Sequence, residues 1–151
     1  FLNGVVASTA INFTGIPSSA KRITVMLRSI SLNSTSNIII QIGSTSFLTT
    51  GYISSGAHFE SPQFVDTNSN TTGFLISTSS TSSEKLNLIA TIININTNNW
   101  VYYSTGSTET TSIKTFTYAG SASLSNTLNQ IRITTTSGAT FDDGSASICY
   151  E

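Results

Sequence analysis

Charge is what this chain has least of: only 9% of its 151 residues are Asp, Glu, Lys or Arg, six of them basic and seven acidic, for a net charge of −1. No basic run occurs anywhere, and binding to nucleic acid or to an anionic membrane rests on such runs neutralising phosphates. DNA, RNA and charged lipid surfaces are therefore poor partners. Cys149 is the only cysteine, which excludes an intrachain disulfide framework and a cysteine-rich zinc site. Its expected role is that of a small buried hydrophobe. Apolar runs are short, the longest being Asn37 to Ile42 and Ile89 to Ile93. Neither approaches the ~20 residues of a membrane-crossing helix, so no membrane insertion is expected.

Catalytic groups are equally scarce. One histidine and seven carboxylates are a thin stock from which to build a nucleophile with its base, a carboxylate pair or a metal site. Asp142 and Asp143 are adjacent, but consecutive residues of an extended chain point to opposite faces and would not flank a scissile bond together. They are expected to form a turn with Gly144 ahead of the last strand. Their spacing also lacks the alternation of a calcium loop. The chain is thus read as non-enzymatic, with no catalytic residues, no cofactor and no metal.

What is abundant is small, neutral and polar. Ser, Thr and Asn number 27, 25 and 13, about two-fifths of the chain, alongside 18 Ile, 8 Phe and 5 Tyr. Disordered chains lack that aliphatic and aromatic content and carry more net charge. β-branched and aromatic residues suit a pleated, half-buried surface. A length of 151 residues is that of one domain able to bury a full core without staples.

A period of two recurs along the chain, and no ten-residue window favours 3.6. In Arg22 to Ile30, the residues Ile23, Val25 and Leu27 alternate with Arg22, Thr24, Met26 and Arg28. Gly15 to Ser18, containing Pro17, is a turn before it. Further strands are predicted at Ala7 to Phe13, Asn37 to Gly43, Gly73 to Ser77, Leu86 to Ile95, Trp100 to Thr105, Ser112 to Tyr118, Leu128 to Thr135 and Ser145 to Tyr150. The Asn-rich link between Ile95 and Trp100 marks a long hairpin, because Asn tolerates positive φ. Ser44 to Thr72, holding Gly51, Gly56 and Pro62, is the longest stretch without a clear strand, although Phe47 to Tyr52 could supply a short one. The Ser/Thr tracts Asn33 to Asn37 and Ser77 to Ser83 read as solvated turns, and the sequons at Asn12, Asn33 and Asn70 are expected by chance in such a composition. Many short strands without helical crossovers predict an all-β fold, an antiparallel β-sandwich of jelly-roll type, over residues 1–151 as a single domain.

Phe13 to Leu27 (Phe-Thr-Gly-Ile-Pro-Ser-Ser-Ala-Lys-Arg-Ile-Thr-Val-Met-Leu) resembles a segment of phage tail fibre and tail-associated structural proteins. Ile40 to Gly43 with Gly51 and Tyr52, Ile131 to Thr136, and Phe141 to Glu151 fit the same pattern. The resemblance covers most of the chain from Phe13 onward. It departs at Ser19 and Ala20, where members often carry Trp, and gives no guidance over Ser44 to Gly73 or Thr105 to Ser112. It implies the distal, C-terminal module of a longer virion fibre protein, commonly trimeric, ending at Glu151, that attaches to a host receptor and contacts other tail proteins. A start at Phe1, without Met or a signal-peptide pattern, also fits a piece of a longer chain. Strands with so few charges risk edge-to-edge association unless an assembly covers them, which agrees with a homotrimer.

Two functions follow. A neutral surface dense in hydroxyls and amides suits a host-surface glycan, bound weakly per site and strongly by multivalency. Tyr52, His58, Phe59, Trp100 and Tyr103 are the candidate ligand-binding residues, as stacking or edge contacts to the sugar. Trp100 and Tyr102 share one strand face and Val101 and Tyr103 the other, so one of those pairs belongs to the core. The alternative is a structural module that caps or trimerises a fibre or binds another virion protein without touching the receptor.

Overall fold

The computed structural model describes residues 8–60, 64–109 and 113–151. Among them are eleven strands: β1 (Ala10–Thr14), β2 (Arg22–Leu32), β3 (Ser36–Gly43), β4 (Ile53–Glu60), β5 (Phe64–Asn70), β6 (Phe74–Ser80), β7 (Leu86–Asn96), β8 (Asn99–Thr108), β9 (Lys114–Ser123), β10 (Gln130–Thr135) and β11 (Phe141–Tyr150). They form two antiparallel sheets. The four-stranded sheet has the order β1-β10-β3-β6, and the seven-stranded sheet the order β11-β2-β7-β8-β9-β4-β5. Every connection crosses between sheets except the hairpins β4–β5, β7–β8 and β8–β9. That winding is a jelly roll in which the meander β7-β8-β9 fills the space between β2 and β4.

The alternation predicted for β2 holds: Ile23, Val25 and Leu27 are buried, facing inward, as are Ile40, Ile42, Phe74, Ile131 and Ile133 of the other sheet. Tyrosines complete this core because each phenol finds a partner. Phe74 stacks on Tyr102 at 4.7 Å and meets the Tyr52 ring edge-on at 4.9 Å. Tyr52 Oη accepts the Ile42 N–H at 2.8 Å, and Tyr102 Oη donates to the Leu75 carbonyl at 2.7 Å. Leu75 lies on the edge strand β6, and its N–H in turn donates to Ser54 Oγ at 2.9 Å. Side chains of the larger sheet thus satisfy both backbone groups of Leu75, which seals that edge.

Several expectations are corrected. Ser44 to Thr72 is not a loop with a strand at Phe47 to Tyr52: it contains both strands of the antiparallel pair β4–β5, and Phe47 makes only a single bridge to Gly43. The inward positions of β4 are Ser54, Gly56 and His58, so the apolar alternation that would reveal a strand is missing. The tract Ser77 to Ser83 is not all solvated turn, because Ser77, Thr78 and Ser80 are buried on β6, with Ser77 and Ser80 hydroxyls 2.5 Å apart. Asp142 and Asp143 do not precede the last strand. β11 begins at Phe141, and two register shifts with Gly144 at φ 99° bend its first part. Cys149 is exposed rather than buried, since it alternates with Ile148, which packs against the core. In the predicted β7–β8 hairpin the positive φ falls on Thr97 at 34°, not on an Asn. Ala7 and Ser112, expected in strands, lie outside the described residues, as does Pro62.

Candidate functional site

Antiparallel register places directly paired residues of neighbouring strands on one face. One outward row of the seven-stranded sheet therefore runs Met26, Ile89, Thr105, Thr117, Ala57 and Thr67. The next runs Thr24, Thr91, Tyr103, Ala119, Ser55 and Ser69, and a third Arg22, Ile93, Val101, Ser121 and Ile53. β7 and β8 contain no charged residue at all. Glu60 of β4, Lys114 of β9 and Asp66 of β5 belong to inward rows, Glu60 paired with Lys114 and Asp66 with His58. The outer face from β7 to β5 is consequently a neutral carpet of hydroxyls, methyls and amides. Arg22 and Arg28 bound it on β2, while Lys85, Glu109 and Asp143 gather beyond one end.

Two shallow depressions of about 530 Å³ each indent this face. One, over β4, β5 and β9, is lined by Ser55, Gly56, Ala57, Thr67, Asn68, Ser69 and Thr117. Gly56 is required there because a Cβ would lie 2.1 Å from the Thr117 carbonyl oxygen. The other, over β2, β7 and β8, is lined by Met26, Arg28, Asn87, Ile89, Thr105 and Ser107 among others. A third, of about 360 Å³, lies beside Met26, Ile148, Cys149 and Tyr150 at the β11 edge.

The five candidate aromatics separate cleanly. Tyr103 is 50% exposed and Phe59 48% exposed, both on the outer face. Phe59 stands two residues from Ala57 on β4, at the margin of the Ser55–Thr67 depression, and Tyr103 stands on the Ser55 row with only Ala119 between them. Tyr52, His58 and Trp100 are corrected as stacking residues: each is buried and presents no free ring face. Trp100 and Tyr102 take the inward side of β8, which assigns that pair to the core. Trp100 Nε1 is the buried side-chain polar atom left without a hydrogen bond among the described residues. His58 Nδ1 lies 3.3 Å from Thr78 Oγ1, which is 3.3 Å from Tyr118 Oη, an inward polar chain between the sheets. Burial holds the phenols of Tyr52, Tyr102 and Tyr118 above the ordinary tyrosine range.

The carboxylates are dispersed and engaged. Asp142 accepts from the Ser31 hydroxyl, and Asp143 pairs with Lys85 Nζ at 2.6 Å. The hydrogen bond from Lys85 holds the Asp143 carboxyl below its usual range, and those from Asn87 and Ser29 do the same for Glu109. Among the described residues no three His, Cys, Asp or Glu side chains converge as metal ligands. Sequence reasoning missed the outward hydroxyl groups of Ser55, Thr67, Ser69 and Thr117, because in a chain so rich in these residues only the pairing of β4, β5 and β9 distinguishes them. Comparison of the chain with protein-family models, curated proteins and solved structures finds no match.

Proposed function

We propose that this chain is a host-attachment module of a phage tail fibre or related virion protein, acting by recognition rather than catalysis, with a neutral surface glycan as its ligand. The observation that carries the reading is the uncharged outer face of the seven-stranded sheet, where a depression lined by the hydroxyls of Ser55, Thr67, Ser69 and Thr117 lies beside two exposed aromatic rings. Sugars present the complementary chemistry, C–H faces for rings and hydroxyls for exchange of hydrogen bonds. A volume of about 530 Å³ is within the range of small-ligand sites. The shallowness fits weak single-site binding strengthened by multivalency. The resemblance of Phe13 to Leu27 and Phe141 to Glu151 to tail fibre segments supports the setting.

A glycan array with the labelled domain tests this. Neutral saccharides are expected to bind, and Ala57→Arg, which fills and charges the depression, is expected to abolish binding without altering the thermal melt. Array binding that survives both Ala57→Arg and Tyr103→Ala would overturn the assignment.

The second reading, a module that trimerises a fibre or binds another virion protein, has its own observation. Ile53, Ile89, Ile95 and Val65 are 55 to 73% exposed, and such side chains are what a partner's surface covers. Light scattering across a concentration series decides it: a homotrimer dispersed by Ile53→Asp supports assembly through this face, and a strict monomer argues against it.

A further inference from the structure

The four strands β1, β3, β6 and β10 contain one charged residue between them, Arg132 of β10. On the outer side of this sheet it occupies the row Asn12, Arg132, Gln41. Its Nε donates to Gln41 Oε1 at 2.5 Å, and Gln41, only 4% exposed, is fixed from its other end by donation from Nε2 to the Thr72 carbonyl at 2.6 Å. The ring of Phe47 covers the guanidinium, its centroid 4.5 Å from Cζ. One edge of the fork and one of its faces are thus held in place. The two terminal nitrogens have no hydrogen-bond partner among the described residues, and no acidic residue lies on β1, β3, β6, β10 or in the 44–52 and 71–73 segments beside them.

A guanidinium locked at Nε keeps its Nη1–Nη2 edge for a planar, two-point acceptor, the geometry that favours Arg over Lys wherever carboxylate or phosphate is recognised. Asn12, exposed on the adjacent strand and directly opposite Arg132, adds an amide donor at the same place. We propose that Arg132, with Asn12, is an oxyanion site that receives a carboxylate or phosphate substituent of a ligand. It lies on the sheet opposite the neutral face and stands independently of the glycan reading given there. Gln41 and Phe47 act as positioning residues.

The test is a titration of the isotope-labelled domain, followed by backbone amide and Arg Nε–H resonances, with methyl glucuronide, glycerol phosphate and methyl glucoside. The two anions share the chemistry, and whichever shifts Arg132, Asn12 and Gln41 signals identifies the source as carboxylate or phosphate. Methyl glucoside is expected to leave those signals unmoved. Arg132→Gln is expected to weaken anion binding at least about tenfold, the loss of one charge-assisted contact. Arg132→Lys, which keeps the charge but not the fork, falls between. Asn12→Asp leaves Arg132 in place and supplies a competing carboxylate at an exposed position that does not endanger folding. It is expected to weaken binding as much as Arg132→Gln. The proposal is overturned if neither anion shifts these resonances, if methyl glucoside shifts them equally, or if anion binding persists unchanged in the Asn12→Asp protein.

Discussion

Tyr102→Phe removes one oxygen from the centre of the molecule. Its hydroxyl donates to the Leu75 carbonyl at 2.7 Å and shares a second hydrogen bond with Ser104 Oγ, and all three residues are at most 3% exposed. Without it the Leu75 carbonyl keeps its place on the free edge of β6, where no other strand can reach it, and loses its partner in a dry environment. Leaving one buried acceptor unsatisfied costs about 1–3 kcal/mol. The phenyl ring itself still fills the space against Phe74, so no cavity cost is added. A midpoint value of about 2 kcal/mol corresponds, at about 2–4 °C per kcal/mol for a chain of this size, to a melting temperature lower by about 4–8 °C. Urea unfolding should show a lower midpoint with an unchanged slope, since the surface exposed on unfolding is the same. Tyr103→Phe, one residue along on the exposed face, is the control and should stay within about 0.5 kcal/mol of wild type. A Tyr102→Phe protein as stable as its parent would mean that water or a neighbour replaces the phenol, and the argument that β6 is sealed by side chains of the other sheet would fail.

The raised phenols of Tyr52, Tyr102 and Tyr118 make a pH prediction. A raised folded-state value leaves their contribution intact below the unfolded value of about 10 and removes it as pH climbs beyond, because the unfolded chain gives up protons first. Three groups that all titrate later in the folded chain than in the unfolded one steepen the loss, so phenolate absorbance should rise together with loss of the circular dichroism signal; gradual phenolate formation in a protein that stays folded would contradict this. Gly56→Ala should destabilise by about 1–3 kcal/mol in urea, since the new Cβ would sit 2.1 Å from the Thr117 carbonyl oxygen and 2.6 Å from Tyr118 Cδ1. Exposed Cys149 should react stoichiometrically with a thiol reagent in the native protein; reaction only in denaturant would contradict its outward placement.

The sequence made the sandwich legible wherever apolar residues mark the inward positions. Ile23, Val25 and Leu27 on β2 declare both strand and phase, whereas the Ile-rich β3 and β7 declare the strand but not its phase, since Ile38, Ile39 and Ile40 are all buried and Ile89 is exposed. β4 does not, because Ser54, Gly56 and His58 point inward and Ile53 and Phe59 outward, the reverse of the ordinary pattern. What licenses the inversion is tertiary: Ser54 is needed to hold the Leu75 N–H, Gly56 to admit Tyr118, and His58 to meet Thr78. The same limit governed the site. Alternation correctly split Trp100 with Tyr102 from Val101 with Tyr103, but only the opposing sheet decides which pair is covered. Tyr52 has no regular alternation around it, and its burial depends on an acceptor role toward β3 that no local pattern encodes.

The jelly-roll winding also sets an order in time. β1 pairs only with β10, and β11 pairs with β2, so strands near the start of the chain await partners more than a hundred residues later. During synthesis the meander β7-β8-β9 can form from neighbours already in hand, with β2 closing on β7, whereas β1 and the outer edge of β2 stay open until the last strands emerge. Contacts of such separation slow folding, because a long loop must be ordered before they reward it. Emergence of β10 and β11, rather than of the hydrophobic core strands alone, is therefore the expected moment at which this fold becomes native, and refolding from denaturant should be correspondingly slow for its size.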